Sequence, residues 1–248
     1  MAECLAKLLC NYEDSGADID QILSHLQSSI NKVVREIQDL PSQPDEKLTL
    51  YGPYLGRALM ELATTAMLAK LDPLRILITK GRQTQPDYEL ERPQKASLKW
   101  QGDVMGEKVS NLWDDKSLAN PTRAILGRYS VDLVLTNSAQ NLLDEATEDA
   151  VGEWHQELTS LEAKPLVMKM ITQLSSLYST LSKGIHHELL IPIDSVLDRD
   201  TVVSRLNETI YVVATLGLIV SFVPHAYARN DMPTNFSLYK SAKELEVN

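Results

Sequence analysis

The sequence predicts an all-α protein built as a multi-helix bundle. The chain is poor in Gly (10) and Phe (2) and rich in Leu, Ala, Glu, Gln and Ser, a composition that favours helices over sheets. Several segments also repeat apolar residues at helical spacing. The 248 residues, 44% of them hydrophobic, are enough for a sizeable core. We expect one domain over residues 1–248, with residues 1–45 as a candidate N-terminal helical subregion.

The first long helix is predicted over residues 19–40. Asp18 and Gln21 have the spacing of a capping box, and Pro41 and Pro44 end the helix. A single apolar stripe supports the assignment and consists of Ile19, Ile22, Leu23, Leu26, Ile30, Val33, Val34 and Ile37.

A second helix is predicted to begin at Pro53, because proline suits the first turn of a helix. Its apolar stripe consists of Leu55, Leu59, Leu62, Ala66 and Ala69. Its other face is formed by the small residues Gly56, Ala58 and Ala63. Small residues let neighbouring helices approach closely, which places residues 53–71 in the middle of the bundle. Arg57 and Glu61 are expected to pair at i, i+4.

A cap and a new helical start are predicted at Asp72 and Pro73, followed by a short helix that ends at Ile78. A long central loop is then predicted over residues 80–99, which contain two prolines and few apolar side chains. Loops of that length inside a domain are often functional.

Further helices are predicted at residues 105–113, 121–143, 165–181 and 200–222, and the tail from Asn230 shows no strong apolar pattern. Residues 209–228 carry no formal charge and have nearly the length needed to cross a bilayer. This stretch continues an amphipathic pattern and contains Pro and His. We therefore favour a buried central helix over a membrane span.

The formal charge of −10 argues against a general nucleic-acid binder. Only residues 53–128 carry a basic surplus, with 12 basic and 9 acidic side chains. The candidate phosphate-binding arm lies in the predicted loop, where Tyr88 and Trp100 are interleaved with Lys80, Arg82, Arg92, Lys95 and Lys99. Acidic residues dilute its charge, so we favour a solvated loop or a protein-binding arm.

Two cysteines, Cys4 and Cys10, form neither a CxxC pair nor a zinc-spaced set. This usage predicts a reducing, cytoplasmic setting. The N-terminus makes a poor signal peptide, because an acidic residue comes early and the apolar stretch is short. We expect no cofactor and no membrane attachment.

Two further segments are candidate interaction sites. The aromatic stretch from Tyr51 to Arg57 is either a ligand cradle or, as we favour, ordinary turn and cap chemistry. The acidic middle of the chain places like charges at i, i+4, which costs a few tenths of a kcal/mol per pair in a helix. Its residues are Asp144, Glu145, Glu148, Asp149, Glu153 and Glu157. A basic partner surface would offset this cost, although such runs are usually solvated.

The tract SKGIHHE, residues 182–188, most resembles a chemical site. Adjacent helical residues point about 100° apart, so His186 and His187 cannot face one metal ion together, and we predict no metal site. The structural interpretation makes Gly184 a C-cap glycine, with Lys183 in the last turn against the helix dipole. The histidines would then be a partly buried pair.

In outline, the apolar helix at 166–181, the SKGIHHE tract and the helix that follows resemble the HEPN family of all-α proteins. The resemblance implies metal-independent RNA cleavage at a dimer interface, in which a His helps the 2′-hydroxyl attack and an Arg holds phosphate. In that family four to six residues separate the Arg from the His. None of residues 179–182, where this spacing falls, is basic. Lys183 is the nearest cation, but its ammonium group is a point charge, which does not offer phosphate the paired hydrogen-bond donors of an arginine.

Two hypotheses about function follow. The first is a non-catalytic accessory subunit that docks onto a protein partner, such as an ATPase or nuclease subunit. The second is a HEPN-like ribonuclease or toxin that uses Lys183, His186 and His187; the dimer interface of that family leaves a homodimer open, and the sequence does not decide the oligomeric state. Because HEPN-like proteins commonly serve in prokaryotic antiviral and toxin systems, the resemblance implies a defence setting for either hypothesis.

Overall fold

The computed structural model describes residues 3–86, 88, 131–185 and 197–247, and these residues form an all-α multi-helix bundle with no strand among them. The predicted fold class is therefore confirmed. In chain order, the helices are α1 Glu3–Leu9, α2 Asp18–Asp39, α3 Asp45–Leu71, α4 Pro73–Gln83, α5 Thr136–Glu145, α6 Glu148–Val151, α7 His155–Thr159, α8 Ala163–Lys183, α9 Arg199–Ser221 and α10 Met232–Ala242.

Helices α3 and α9 form the centre of the bundle. They pack against each other, and α1, α2 and α8 surround them. Residues 209–221 of α9 are all buried, as predicted for a central helix. Within the described residues, α9 is the one helix that is long and apolar enough to cross a membrane by length and composition, and most of its apolar stretch is buried inside the chain.

The predicted start of the second helix is wrong. Helix α3 begins at Asp45, and Pro53 lies inside it rather than in its first turn. Asp45 and Glu46 in the first turn are favourable at the positive end of the helix dipole. An internal proline removes one backbone hydrogen bond and costs about 3 kcal/mol. Burial of this segment offsets that cost, because Leu48 and Pro53 are both buried.

Helix α2 follows its apolar stripe, and a 3₁₀ turn over Leu40–Ser42 comes directly after it. The predicted capping box does not form, since the N-cap residue is Ala17 and no side chain caps the helix. Gln21 donates instead from Nε2 to the carbonyl of Gly16 at 3.3 Å. Asp18 pairs with Lys80 of α4.

A buried carboxylate connects the start of α2 to the turn after α9. Asp20 accepts hydrogen bonds from the backbone N and Oγ of Ser15 at 2.9 and 2.6 Å. It also accepts one from the hydroxyl of Tyr227 at 2.8 Å. The Ser15 hydroxyl is the main reason that the pKa of Asp20 falls to about 2, and the Tyr227 hydroxyl adds to the effect.

Helix α4 is longer than predicted. Asp72 does cap it, since its Oδ1 accepts from the backbone N of Arg75 at 3.2 Å, but the helix runs past Ile78 to Gln83. Residues 80–83 of the predicted loop are therefore helical. Most of the remaining loop and the predicted helix at 105–113 lie outside the described residues.

The C-terminal tail is also more ordered than its sequence pattern indicates. Asp231 caps α10 by accepting from the backbone N of Thr234 at 2.8 Å. Beyond this helix, the side chain of Asn207 exchanges two 2.7 Å hydrogen bonds with the backbone of Val247. The prediction of a patternless tail missed α10 because two of its four buried residues, Asn235 and Ala242, are not large apolar side chains.

Candidate functional site

The SKGIHHE tract is described only in part. Lys183 is the last residue of α8 and its side chain is exposed, whereas His186 and His187 lie outside the described residues. The geometry of the proposed Lys and His trio is therefore a prediction from sequence alone.

Gly184 is the C-cap residue of α8, but for a different reason from the one predicted. Its φ of −70° is right-handed, so the position does not need the left-handed freedom of a cap glycine. A Cβ at Gly184 would lie 2.6 Å from Cγ of Pro53 in α3. The glycine therefore allows the end of α8 to approach the rigid proline ring.

An arginine from α3 lies against the last turns of α8. Arg57 Nη2 donates to the hydroxyl of Tyr178 at 2.5 Å and to Oε1 of Glu61 at 3.1 Å. Its Cζ lies 4.4 Å from the centroid of the Tyr178 ring, which is cation–π geometry. Tyr178 in turn donates to Glu61 at 3.3 Å, and burial raises the pKa of its hydroxyl. The predicted Arg57 and Glu61 pair is confirmed, and Tyr178 is an addition that sequence reasoning missed.

The described part of the basic arm already has partners. Lys80 Nζ donates to Oδ1 of Asp18 at 2.7 Å and to Oε1 of Gln21 at 3.2 Å. It also lines a cavity of about 440 Å³ between α2 and α4. The side chain of Arg82, together with Arg92, Lys95 and Lys99, lies outside the described residues. The basic arm therefore stays a prediction.

The acidic segment is exposed, but it is not one continuous helix. The chain from Asp144 to Glu157 is divided among α5, α6, a 3₁₀ turn at Gly152–Trp154 and α7. Gly152 has a φ of +76°, a left-handed conformation that glycine adopts without strain. The like charges therefore do not stack along a single α-helix as predicted, which lowers the cost attributed to them.

A groove with two exposed tyrosines lies between the C-terminal end of α2 and the first turns of α3. Its volume is about 470 Å³. We name it the tyrosine groove, and its lining residues are Glu36, Asp39, Leu40, Gln43, Lys47, Tyr51, Tyr54 and Leu55. Tyr51 and Tyr54 are 51% and 61% exposed. The favoured interpretation of residues 51–57 as a turn and cap is wrong, since they are helical.

The charged groups of the tyrosine groove are exposed and are not paired with any described residue. Glu36 and Asp39, one turn apart on α2, and Lys47 on α3 are all exposed. Among the described residues, none of the three side chains has an ion pair or a hydrogen bond. The sequence indicated the aromatic pair, but the two carboxylates come from another helix, which the sequence alone could not bring beside the rings.

Within the part of the chain that the structure describes, no group of three or more His, Cys, Asp or Glu residues is placed to hold a metal ion. Two of the sequence-predicted segments are completed by side chains from a second helix, in the Arg57, Glu61 and Tyr178 cluster and in the tyrosine groove. No family model, curated protein or solved structure matches this chain.

Proposed function

We propose that this protein is a non-catalytic accessory subunit that docks onto a protein partner through the tyrosine groove. The observation that carries the proposal is the exposure of Tyr51 and Tyr54, side by side on α3 and next to a groove of about 470 Å³. Tyrosine is enriched in protein interfaces, because its ring buries apolar area while its hydroxyl finds a polar partner.

The rigid base of the groove supports the same proposal. Leu40 is buried and Leu55 is half-buried, so the apolar floor belongs to the core of the bundle. The tyrosine rings therefore extend from a helix that is fixed by its other side. A preorganised surface of this kind loses little conformational entropy on binding.

The setting is part of the proposal and rests on the resemblance to HEPN proteins. We propose an intracellular assembly of prokaryotic antiviral defence, with an ATPase or a nuclease as the partner subunit. This assignment makes the products of neighbouring genes the first partners to test.

The test is co-expression of the chain with the products of its neighbouring genes, followed by size-exclusion chromatography. A stable complex should form with wild type and should be lost in the Tyr51→Ser/Tyr54→Ser double variant. Leu74→Ser/Ile78→Ser is the matched control, because Leu74 and Ile78 are also exposed apolar residues on one helix. A complex that survives the tyrosine variant, or the absence of any complex, would contradict the proposal.

The alternative function is a HEPN-like, metal-independent ribonuclease or toxin that uses His186 and His187. One observation favours it: Arg57 lies beside Tyr178, five residues before Lys183, so α3 supplies a guanidinium that α8 lacks. Glu61 already pairs with this arginine, and a phosphate would have to compete with that carboxylate.

This alternative is tested by incubating the purified chain with mixed RNA in EDTA. Wild type is compared with His186→Ala, His187→Ala and Arg57→Met. Cleavage that depends on either histidine would overturn the accessory function and establish the nuclease. The accessory proposal predicts that all four proteins leave the RNA intact.

A further inference from the structure

The tyrosine groove also has features that define the chemistry of its ligand. Resting on the proposed docking function, we infer that the groove binds an arginine side chain carried by an extended or helical segment of the partner protein. The guanidinium would lie on the exposed rings of Tyr51 and Tyr54 and pair with the carboxylates of Glu36 and Asp39.

The charges of the groove favour a cation. The lining of the groove carries two carboxylates, Glu36 and Asp39, and one ammonium group, that of Lys47, so its formal charge is negative. Because all three are exposed, and none is paired with a described residue, a ligand cation would gain a partner without breaking an existing ion pair. The same carboxylates would repel phosphate, which argues against nucleic acid as the occupant.

The rings favour arginine over lysine. A guanidinium is planar and can stack on an aromatic face while it donates to a carboxylate, whereas an ammonium is a compact and strongly hydrated point charge. Tyr51 and Tyr54 provide exposed faces, and the acids of α2 line the same groove. One arginine of the partner can therefore stack on a tyrosine ring and pair with a carboxylate at the same time.

The protein contains a filled version of this arrangement. Arg57 stacks on Tyr178 with its Cζ 4.4 Å from the ring centroid, and it donates to Glu61 at 3.1 Å. The tyrosine groove has the same two kinds of acceptor, an aromatic ring and a carboxylate, without an arginine. In the internal cluster α3 supplies the arginine and the carboxylate and α8 supplies the ring, so two packed helices of this bundle can bring the three groups together.

The experiment begins with a random-peptide library displayed on phage and selected on wild-type protein. Peptides are counter-selected on the Tyr51→Ser/Tyr54→Ser double variant. The leading peptide is then synthesised with a fluorophore, and its binding is measured by anisotropy. Versions of this peptide carry lysine or citrulline, the neutral isostere of arginine, in place of arginine.

We expect the selected peptides to be enriched in arginine beside an apolar residue. Replacing the arginine by citrulline should weaken binding about tenfold, consistent with the loss of a cation–π contact and an ion pair. Glu36→Gln/Asp39→Asn should cause a similar loss in the protein. The Leu74→Ser/Ile78→Ser control should bind as wild type does.

Several results would overturn the inference. One is a set of selected peptides without enrichment in arginine. The others are equal binding of the arginine and citrulline peptides, and binding of the arginine peptide to the Glu36→Gln/Asp39→Asn variant with the affinity of wild type. Self-association that depends on the tyrosines, measured by sedimentation, would assign the groove to a second copy instead. A partner complex that needs Tyr51 and Tyr54 but not the carboxylates would support the docking function and contradict only the inference that the ligand is an arginine.

Discussion

The two halves of α3 differ in how much of their surface is buried. In the N-terminal half, residues 45–57, Gly52 packs against α9, while its neighbour Tyr51 is exposed in the tyrosine groove. In the C-terminal half, every residue from 63 to 70 is buried, including Lys70. One helix is therefore two-sided over its first turns and enclosed over its last turns.

This difference separates the surface that holds the fold from the surface that is free for a partner. A helix that is buried all round can be changed only at the expense of packing. A two-sided helix allows substitutions at adjacent positions to act on different properties. Tyr51 and Gly52 are such a pair, since one borders the groove and the other contacts the core.

The largest effect on stability is expected from substitutions at the close contacts of the N-terminal half of α3. A Cβ at Gly52 would overlap Cγ1 of Val202, and one at Gly56 would lie 2.7 Å from Cδ1 of Leu181. Overpacking a core costs about 1–3 kcal/mol per site, so Gly52→Ala/Gly56→Ala should lower the free energy of unfolding by about 3 kcal/mol. Denaturant titration followed by circular dichroism measures this change.

The matched control for the glycine pair is Gly81→Ala in α4. No atom of the described residues lies within 4 Å of its Cβ position, so the alanine should add up to about 1 kcal/mol through helix propensity. If the Gly52→Ala/Gly56→Ala variant gained stability as Gly81→Ala does, the close packing of α3 on α8 and α9 would be disproved.

The second prediction concerns the charge in the enclosed half. Burial, with a smaller contribution from Arg229, lowers the pKa of Lys70 to about 8, while Cys10 acts in the opposite direction. Lys70 is 1% exposed. Replacing it by methionine removes the cost of a buried charge and should raise the free energy of unfolding at pH 7 by about 2 kcal/mol.

The sign of the pH dependence follows from the lowered pKa. Between about pH 8 and about pH 10.5, the pKa of lysine in the unfolded chain, the unfolded state binds more protons than the folded state. The free energy of unfolding of the wild-type protein therefore rises with pH over this range. The advantage of Lys70→Met should be full below pH 8 and shrink above it. Both proteins contain Cys10, whose pKa burial raises to about 12; Lys70 opposes that rise, so Lys70→Met also removes this opposing effect. Lys32→Met, at an exposed position, should show neither effect.

A smaller loss of stability is expected at the Arg57, Glu61 and Tyr178 cluster, where the two halves of α3 meet. Tyr178→Phe removes the hydroxyl that bonds Arg57 and Glu61 but keeps the ring under the guanidinium. The loss should be about 1 kcal/mol, the usual net contribution of such hydrogen bonds. The comparison is with Tyr51→Phe, which removes a hydroxyl that has no partner among the described residues. Equal stabilities of the two variants in urea would show that the Tyr178 hydroxyl contributes nothing.

The sequence predicts the parts of this fold that depend on periodicity. Helices α2, α8 and α9 have long apolar stripes, and these stripes predict the described ends of each helix to within about two residues. The start of α3 was missed because Pro53 has the local signature of a first turn. The helix continues through that proline because α2, α8 and α9 pack around it, and the periodicity of one segment carries no information about this packing.

The candidate site was less predictable for a related reason. The Arg57 and Glu61 pair is local and was predicted, but Tyr178 comes from another helix. The tyrosine pair was identified as a compact aromatic stretch, while the carboxylates that complete the groove belong to α2. Side chains on one helix can be placed by counting, whereas the meeting of two helices requires the tertiary structure.

The smallest effect on stability and the clearest effect on binding are expected at the exposed side of the N-terminal half. Tyr51→Ser/Tyr54→Ser changes two residues that are more than half exposed, so its free energy of unfolding should stay within about 1 kcal/mol of wild type. The same variant should lose the partner complex, because the rings form the wall of the groove. Urea titration and size-exclusion chromatography on one preparation measure both properties. A variant that unfolds as easily as Gly52→Ala/Gly56→Ala would show that the tyrosines serve the fold, and the distinction between the two sides of α3 would be lost.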